Sequence, residues 1–345
     1  MGEIVVWGSG AIGGTIGARL VRKGEEILFV DAFLPHVKAM NEKGLTILED
    51  DGKLTVNVKA CLPDAITSSL DLVFLAVKSH HTAQALEMIE PWVGEDSLVV
   101  CLQNGLNEEW VSETIGADRT MGALVNFSAD YIAPGEILYG GAGSLILGEL
   151  NGRTTERLHR VARLLDQAMP TAVTENLWGF KWAKLCYGAL LVATALVDEP
   201  VSEIVLRSEA IQSTLVALVC ELLEVAEAYR VKTEPFDEFD PELFRKAGKG
   251  DWKSLAKAME RIADHYRTQT KGKTGIWRDL AVKRRKTEVD ALLGAAVKKG
   301  EEVGRPCPLN RRLIKLIHEI EDGGRSMAWG NLDEFIRVYR RERNG

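Results

Sequence analysis

Three glycines impose the strongest constraint on what this chain folds into. Gly8, Gly10 and Gly13 stand in G-x-G-x-x-G spacing, directly after the apolar run Ile4 to Trp7 and at the head of a helical pattern, Ala11 to Lys23. In a strand–turn–helix unit the first glycine permits the tight turn, the second lets the backbone approach a pyrophosphate, and the third lets helix and strand pack closely. The helix N-terminus then presents N–H groups and the positive end of its dipole to the phosphates. Gly8, Gly10, Ala11, Ile12 and Gly13 are therefore the expected dinucleotide-binding turn. A second strand, Ile27 to Asp31, ends on a carboxylate. Asp31 suits the adenosine ribose hydroxyls, which favours NAD as cofactor over NADP; the competing reading is a solvated turn residue.

Short apolar strands alternate with helical segments to about residue 150. Pro35 to Lys43 reads as a helix, and Leu72 to Val77, Leu98 to Leu102 and Thr120 to Val125 as strands. Such alternation predicts a mostly parallel sheet covered by helices. Two hairpin-like stretches interrupt it. One turns at Asp50, Asp51 and Gly52; the other turns through Gly140, Gly141 and Ala142, between Glu136 to Tyr139 and Ser144 to Leu147. Beyond roughly residue 170 the strand signal gives way to long segments with apolar residues at helical spacing. At 345 residues the chain exceeds the size at which one core usually stops growing. The expectation is an α/β fold: a Rossmann-type, doubly wound dinucleotide-binding domain over residues 1–170 and an all-helical substrate and dimerisation domain over 171–345. The polar stretch Lys232 to Gly275, with Phe236, Phe239, Phe244 and Trp252 spaced through it, reads as a helical insertion, with a lid or partner surface as the other reading.

With 43 basic and 50 acidic residues, the net charge of −7 lacks the broad positive field that nucleic acid selects. The five cysteines (Cys61, Cys101, Cys186, Cys220, Cys307) are scattered singly, as reduced thiols packed like small apolar residues are, and no metal site is expected. The chain opens on an apolar strand rather than a charged leader, and Val6 stands where a myristoylation site begun by Met1 and Gly2 needs Ser or Thr. The longest apolar run, Ala189 to Val197, is too short to span a bilayer. A cytoplasmic protein with no membrane partner is expected.

Further stretches then match a known family in its order. Lys78 in FLAVKSHHT, Asn104 in CLQNGLNE, Trp182 and Lys184 in WAKL, Glu288 in RKTEVD, and Gly304, Pro308 and Asn310 in GRPCPLN together resemble ketopantoate reductase and its relatives, which include D-2-hydroxyacid dehydrogenases of the D-mandelate type. The resemblance implies that Lys78 and Asn104 contact the cofactor near its reacting end, that Lys184 is the catalytic lysine and Glu288 its acidic partner, and that a homodimer is the family-like assembly. Departures fall on the substrate set. Where the family carries asparagines one and two helical turns after the lysine, this chain has Gly188 and Val192, and no asparagine occurs from Leu185 to Glu199. The family's substrate-binding serine falls at Gly275 or Ile276, with Thr274 or Lys273 as substitutes.

Lys184, Gly188 and Val192 lie at i, i+4 and i+8, one stripe of a helix. A lysine on that stripe, amid Phe180, Leu185 and Leu191, either snorkels to water or sits in a pocket; the resemblance favours the pocket. Hydride transfer to a ketone builds negative charge on oxygen, which a fixed ammonium stabilises and can protonate. Glu288 pairs with Lys184 or substrate, or else is a surface carboxylate beside Arg284 and Arg285. The run Lys283 to Lys286 reads as a solvated face, although Arg285, one turn before Glu288, is a candidate carboxylate clamp. His80 and His81 read as a helix start.

The resulting expectation is hydride exchange between a nicotinamide cofactor, NAD before NADP, and a 2-oxo or 2-hydroxy acid, in a pocket altered at Gly188, Val192, Thr274 and Arg285. The alternatives are true 2-dehydropantoate reduction in pantothenate and coenzyme A biosynthesis, and a dinucleotide-sensing regulator without turnover.

Overall fold

The computed structural model describes residues 3–49, 52–141, 143–268 and 272–344. The chain forms two compact units, Met1–Leu177 and Trp178–Gly345.

In the first unit, β1 (Ile4–Trp7) is buried at every position. Ile4 and Val6 enter one apolar layer while Val5 and Trp7 enter another. A strand covered on both faces reads as a continuous apolar run rather than an alternating one, which is how Ile4 to Trp7 reads. Its neighbours are β2 (Ile27–Val30) and β6 (Leu70–Leu75), both parallel to it. The remaining strands are β3 (Leu45–Glu49), β4 (Gly52–Val56), β5 (Lys59–Cys61), β7 (Val93–Cys101), β8 (Thr120–Asn126), β9 (Ala129–Ala133), β10 (Glu136–Tyr139), β11 (Ser144–Glu149) and β12 (Thr171–Val173). Among the described residues they form an eight-stranded sheet, ordered β12-β11-β8-β7-β6-β1-β2-β5, and a four-stranded sheet, β4-β3-β10-β9. The order reverses at β1, where β2 lies on one side and β6 on the other, the switch point at which α/β sheets open a crevice. Trp7 is level with both Val30 and Leu75, and Leu75 with Cys101, so four carboxyl ends share one edge.

Two expectations are corrected here. The stretches Glu136 to Tyr139 and Ser144 to Leu147 do not pair as a hairpin: β10 pairs with β3 and β9, whereas β11 pairs antiparallel with β8. Glycines at 140 and 143 carry the chain closely past Phe127 and Ser128 as it leaves one sheet for the other; a Cβ on Gly143 would stand 2.3 Å from the Asn126 carbonyl oxygen. The hairpin is instead β9–β10, turned at Pro134 and Gly135 (φ +80°), a proline–glycine pair of type II character. The expected β3–β4 hairpin is formed, with Glu49 opposite Gly52, while Asp50, Asp51 and the Ala142 of the other turn lie outside the described residues, as do Met1 and Gly2. The strand signal also persists past residue 170, because β12 joins the edge of the large sheet beside β11.

The second unit is helix-rich. Its helices are Leu177–Thr194, Val201–Val205, Glu209–Ala228, Pro241–Gly248, Trp252–Thr268, Gly275–Ala281, Ala295–Glu302, Pro308–Glu321 and Trp329–Asn344, with a π-helical turn at Asp290–Gly294. Capping side chains start several of them. Ser208 accepts from the Ile211 N–H, Asp240 from Glu242 and Thr274 from Trp277. Pro308–Glu321 is started from a distance: the Glu221 carboxylate accepts from the Leu309 N–H (2.9 Å), the Asn310 N–H (3.0 Å) and Asn310 Nδ2 (2.8 Å). Asn310 is fully buried and also donates to the Leu218 carbonyl, so the G-x3-P-x-N stretch acts here as a helix start. Burial outweighs these hydrogen bonds and pushes Glu221 up to about 7. No described helix is long and apolar enough to cross a membrane.

Glu221→Ala leaves three donors without their acceptor and should lower the unfolding free energy by about 2–4 kcal/mol. Glu221→Gln keeps one acceptor oxygen and removes the buried charge, so it should cost less. Urea denaturation of both variants checks this, and an unchanged midpoint in Glu221→Ala contradicts it.

Candidate active site

The first unit brings Gly8, Asp31, Lys78 and Asn104 to the carboxyl ends of β1, β2, β6 and β7. Gly8 has φ +94° and donates its N–H to the Val30 carbonyl (2.8 Å); a Cβ there would stand 2.6 Å from Val77 N. A Cβ on Gly13 would stand 2.3 Å from Gly8 O and 2.9 Å from Ala76 Cβ. Gly10 differs, because a Cβ there meets nothing within 4 Å. Gly8 and Gly13 are required by the fold itself, and the space at Gly10 lies in front of the Ala11–Arg22 helix. That helix has no capping side chain and no acidic residue in its first turn, which carries Ala11 and Ile12. N–H groups at such an end suit an anion, so the turn fits a pyrophosphate.

Asp31 is built into the turn rather than merely solvated. Its Oδ2 accepts from the Ser9 N–H and its Oδ1 from the Phe33 N–H, both at 2.9 Å. A carboxylate oxygen accepts more than one hydrogen bond, so capacity for ribose hydroxyls remains. Lys78 is half-buried at the head of a short 3₁₀ turn, and Asn104 is exposed. Sequence reasoning missed what holds these two turns together. Gln103 Nε2 donates to the Val77 carbonyl (2.9 Å) and Thr82 Oγ1 (2.7 Å), Asn107 Nδ2 to Ser79 Oγ (2.9 Å), and Ser79 Oγ to the Asn104 carbonyl (3.0 Å). Gly105, with φ +84°, makes the turn itself. The polar residues of SHHT and LQNGLN were the available signal.

In the second unit Lys184 lies on the Leu177–Thr194 helix. Trp182, 3% exposed, stacks on Tyr229 with centroids 6.2 Å apart and anchors the helix. Burial of the ammonium, with Lys181 one turn away, pushes Lys184 down to about 7, and Asp237 and Glu238 partly oppose the shift. Those two carboxylates come from a turn that sequence reasoning treated as part of an insertion. Phe236 and Phe239 exchange N–H···O bonds (3.0 and 2.9 Å), with Asp237 at φ +42° between them. The Phe239 ring stacks on Tyr187 at 5.2 Å, three residues after Lys184. From the Trp252–Thr268 helix, Arg261 donates to the Asp237 carbonyl (2.7 Å) and His265 Nδ1 lies 3.2 Å from Glu238 Oε2.

The other expected site residues are arranged unevenly. A Cβ on Gly188 would meet nothing within 4 Å, whereas Val192 is 2% exposed and buried in the protein. Thr274 is 7% exposed and spends its hydroxyl oxygen as a helix cap; Lys273 pairs with Asp198 at 2.6 Å. Arg285 is bound by Asp279 (2.8 Å). Glu288 is half-buried two residues before the π-helical turn, and its carbonyl accepts from Leu292 N–H. Short π segments recur at functional sites.

Two family models match the chain: Ketopantoate reductase PanE/ApbA over residues 4–152 and Ketopantoate reductase PanE/ApbA C terminal over residues 176–321. A 2-dehydropantoate 2-reductase of Pyrococcus abyssi is 30% identical over 322 residues, 91% of this chain and 96% of that protein. One from Streptococcus pyogenes is 26% identical over 92% of this chain and 97% of its own length. Among solved structures, a PanE/ApbA family ketopantoate reductase from Ralstonia eutropha is 28% identical with TM-score 0.77, covering 93% of this chain and 99% of that one. D-mandelate dehydrogenase with NADH and anilino(oxo)acetate, at 22% identity and TM-score 0.79 over 93% of this chain and 99% of that one, shares the fold.

The glycine geometry separates two substitutions. Gly10→Ala places its methyl in open space, so thermal stability should hold within about 2 °C while NADH binding weakens about ten-fold or more. Gly13→Ala forces a clash with the Gly8 carbonyl and should lower Tm by several degrees. Thermal melts and NADH fluorescence titrations distinguish them; unchanged NADH affinity in Gly10→Ala contradicts the assignment.

Proposed function

Because this chain belongs to the ketopantoate reductase PanE/ApbA family, we propose that it reduces a 2-oxo acid to the 2-hydroxy acid, with 2-dehydropantoate as the substrate its curated relatives favour. It is an NAD(P)-dependent oxidoreductase of that family. The observation that carries the reading is Lys184, a lysine pushed down to about 7 beside an open helix position at Gly188.

The nicotinamide, when bound in reduced form, supplies the hydride that goes to the carbonyl carbon. Lys184 meets the charge that develops on the carbonyl oxygen and gives up the proton that completes the alcohol. An acid whose pKa lies near the working pH is efficient in that role. Asp237 and Glu238 keep the ammonium charged, while Lys181 pulls the other way. Glu288 is the proposed acidic partner of lysine or substrate. Gly8, Gly10, Ala11, Ile12 and Gly13 hold the pyrophosphate, Asp31 the adenosine ribose, and Lys78 and Asn104 the reacting end.

A second reading, a bulkier and less polar 2-oxo acid, is favoured by a specific observation. No asparagine follows Lys184 on its helix, and Gly188 leaves room where an amide would recognise a substrate hydroxyl. A panel of 2-oxo acids that includes 2-dehydropantoate and aromatic members separates the two. Highest kcat/KM for 2-dehydropantoate supports the first; preference for an aromatic member supports the second; turnover of none contradicts both.

Lys184→Ala should lower kcat by roughly 10²- to 10⁴-fold with little change in NADH affinity. The exposed Lys298→Ala serves as control. Lys181 does not, because it is 3% exposed and its charge acts on Lys184. Reduction needs the protonated lysine, so kcat should fall as pH rises through about 7, and oxidation, which needs the free amine, should rise over the same range. Removing the opposing lysine in Lys181→Ala should move that limb to higher pH, and Glu238→Gln to lower pH. A limb that moves in neither variant contradicts the assignment.

Asp31 sets the cofactor prediction. A 2′-phosphate beside this fixed carboxylate brings like charges together, so NADH should exceed NADPH in kcat/KM. Asp31→Asn should raise relative use of NADPH. Alanine is a poorer probe, since it also strands the Ser9 and Phe33 N–H groups. Equal or better efficiency with NADPH in the wild type contradicts the prediction.

A further inference from the structure

His36, on the Leu34–Lys43 helix, is 1% exposed and touches the glycine turn directly. Its Nε2 lies 2.9 Å from the Ser9 carbonyl oxygen, and its Nδ1 accepts from the Gly135 N–H, also at 2.9 Å. A backbone N–H can only donate, so Nδ1 is the acceptor and Nε2 carries the proton that bonds Ser9. The ring is thus a neutral strut between the turn after β1 and the β9–β10 turn of the other sheet.

Ser9 is held on all sides. Its N–H goes to Asp31, its hydroxyl to the Val30 carbonyl (3.3 Å) and its carbonyl to His36. In a planar trans peptide the carbonyl of one residue and the N–H of the next point in opposite directions. By fixing the Ser9 carbonyl, His36 therefore aims the Gly10 N–H, at the glycine where a Cβ would meet open space.

We propose that His36 is a positioning residue for cofactor binding, which orients the Gly10 amide toward the pyrophosphate through Ser9 and loses that hold when its ring is protonated. The inference rests on the reading of the glycine turn as the cofactor site. A protonated ring presents Nδ1–H to the Gly135 N–H, two donors facing each other, and the strut is pushed off its seat. The titratable groups beside the ring are Tyr131, edge-on at 5.1 Å, and Asp31, joined through Ser9. Burial, and then Asp31, raise Tyr131 above its usual range, which keeps it neutral. Histidine in general is the side chain whose charge changes between pH 5 and 8, so pH 7.5 and 5.5 are the values at which to compare the two ring forms.

Calorimetric titration with ADP-ribose, which carries the pyrophosphate and adenosine ribose without the nicotinamide, tests this at pH 7.5 and 5.5. Wild-type affinity should fall about ten-fold between the two, the size of one buried hydrogen bond lost. His36→Gln has an amide donor and acceptor that do not titrate in this range, so its affinity should be independent of pH; His36→Phe should bind weakly at both. The same pH dependence in wild type and His36→Gln overturns the proposal. Should the variants fail to fold, histidine NMR on the wild type gives the answer by linkage: ADP-ribose should move the His36 titration to lower pH, and an unmoved titration overturns the proposal. Absence of ADP-ribose binding at pH 7.5 instead overturns the cofactor reading on which it rests.

Discussion

The first unit depends on two places where no side chain can exist. Gly8 and Gly13 face each other and the Val77 and Ala76 backbone at distances that a Cβ cannot occupy. That close approach seats the Ala11–Arg22 helix against β1 and β6 and bends the chain tightly enough for Ser9 to reach Asp31, Val30 and His36. An uncapped helix end, an open position at Gly10 and a fixed carboxylate at Asp31 then follow from one packing requirement. The glycine turn is a backbone device first, and its side chains serve to hold the backbone.

In the second unit the corresponding constraint is a buried charge. An ammonium taken out of water is costly unless opposite charge is near. Around Lys184 the balance is set by Lys181 on one side and by Asp237 and Glu238 on the other. The turn that supplies the carboxylates is held by aromatic packing on Tyr187 and by Arg261 and His265 from a helix some twenty residues onward. The polar stretch that reads as an insertion is what brings negative charge to the lysine.

Legibility in the sequence follows the range of the physics. The glycine turn, the strand ends and the helical second half are local patterns, and each reads directly from spacing. Pairings between distant segments do not. The run from Glu136 to Leu147 looks like a hairpin because its apolar stretches flank glycines, yet β10 finds its partners in β3 and β9, and β11 finds its own in β8. Likewise nothing in WAKL announces that Glu238, more than fifty residues later, acts on Lys184. His36 also escapes a reading by motif, because its role rests on two backbone groups, Ser9 and Gly135, that carry no sequence signature. Thr274, a position singled out by resemblance, also has a role in the fold: its hydroxyl oxygen accepts from the Trp277 N–H at a helix start.

The central claim is hydride transfer from a bound nicotinamide to the C2 carbon of a 2-oxo acid. Single-turnover reaction of the protein with NADH deuterated at both C4 positions, followed by mass spectrometry of the product, tests it most directly. The account predicts one deuterium at C2 of the 2-hydroxy acid and a slower reaction than with unlabelled NADH. A product without deuterium, or NADH left unoxidised by every 2-oxo acid offered, would contradict it.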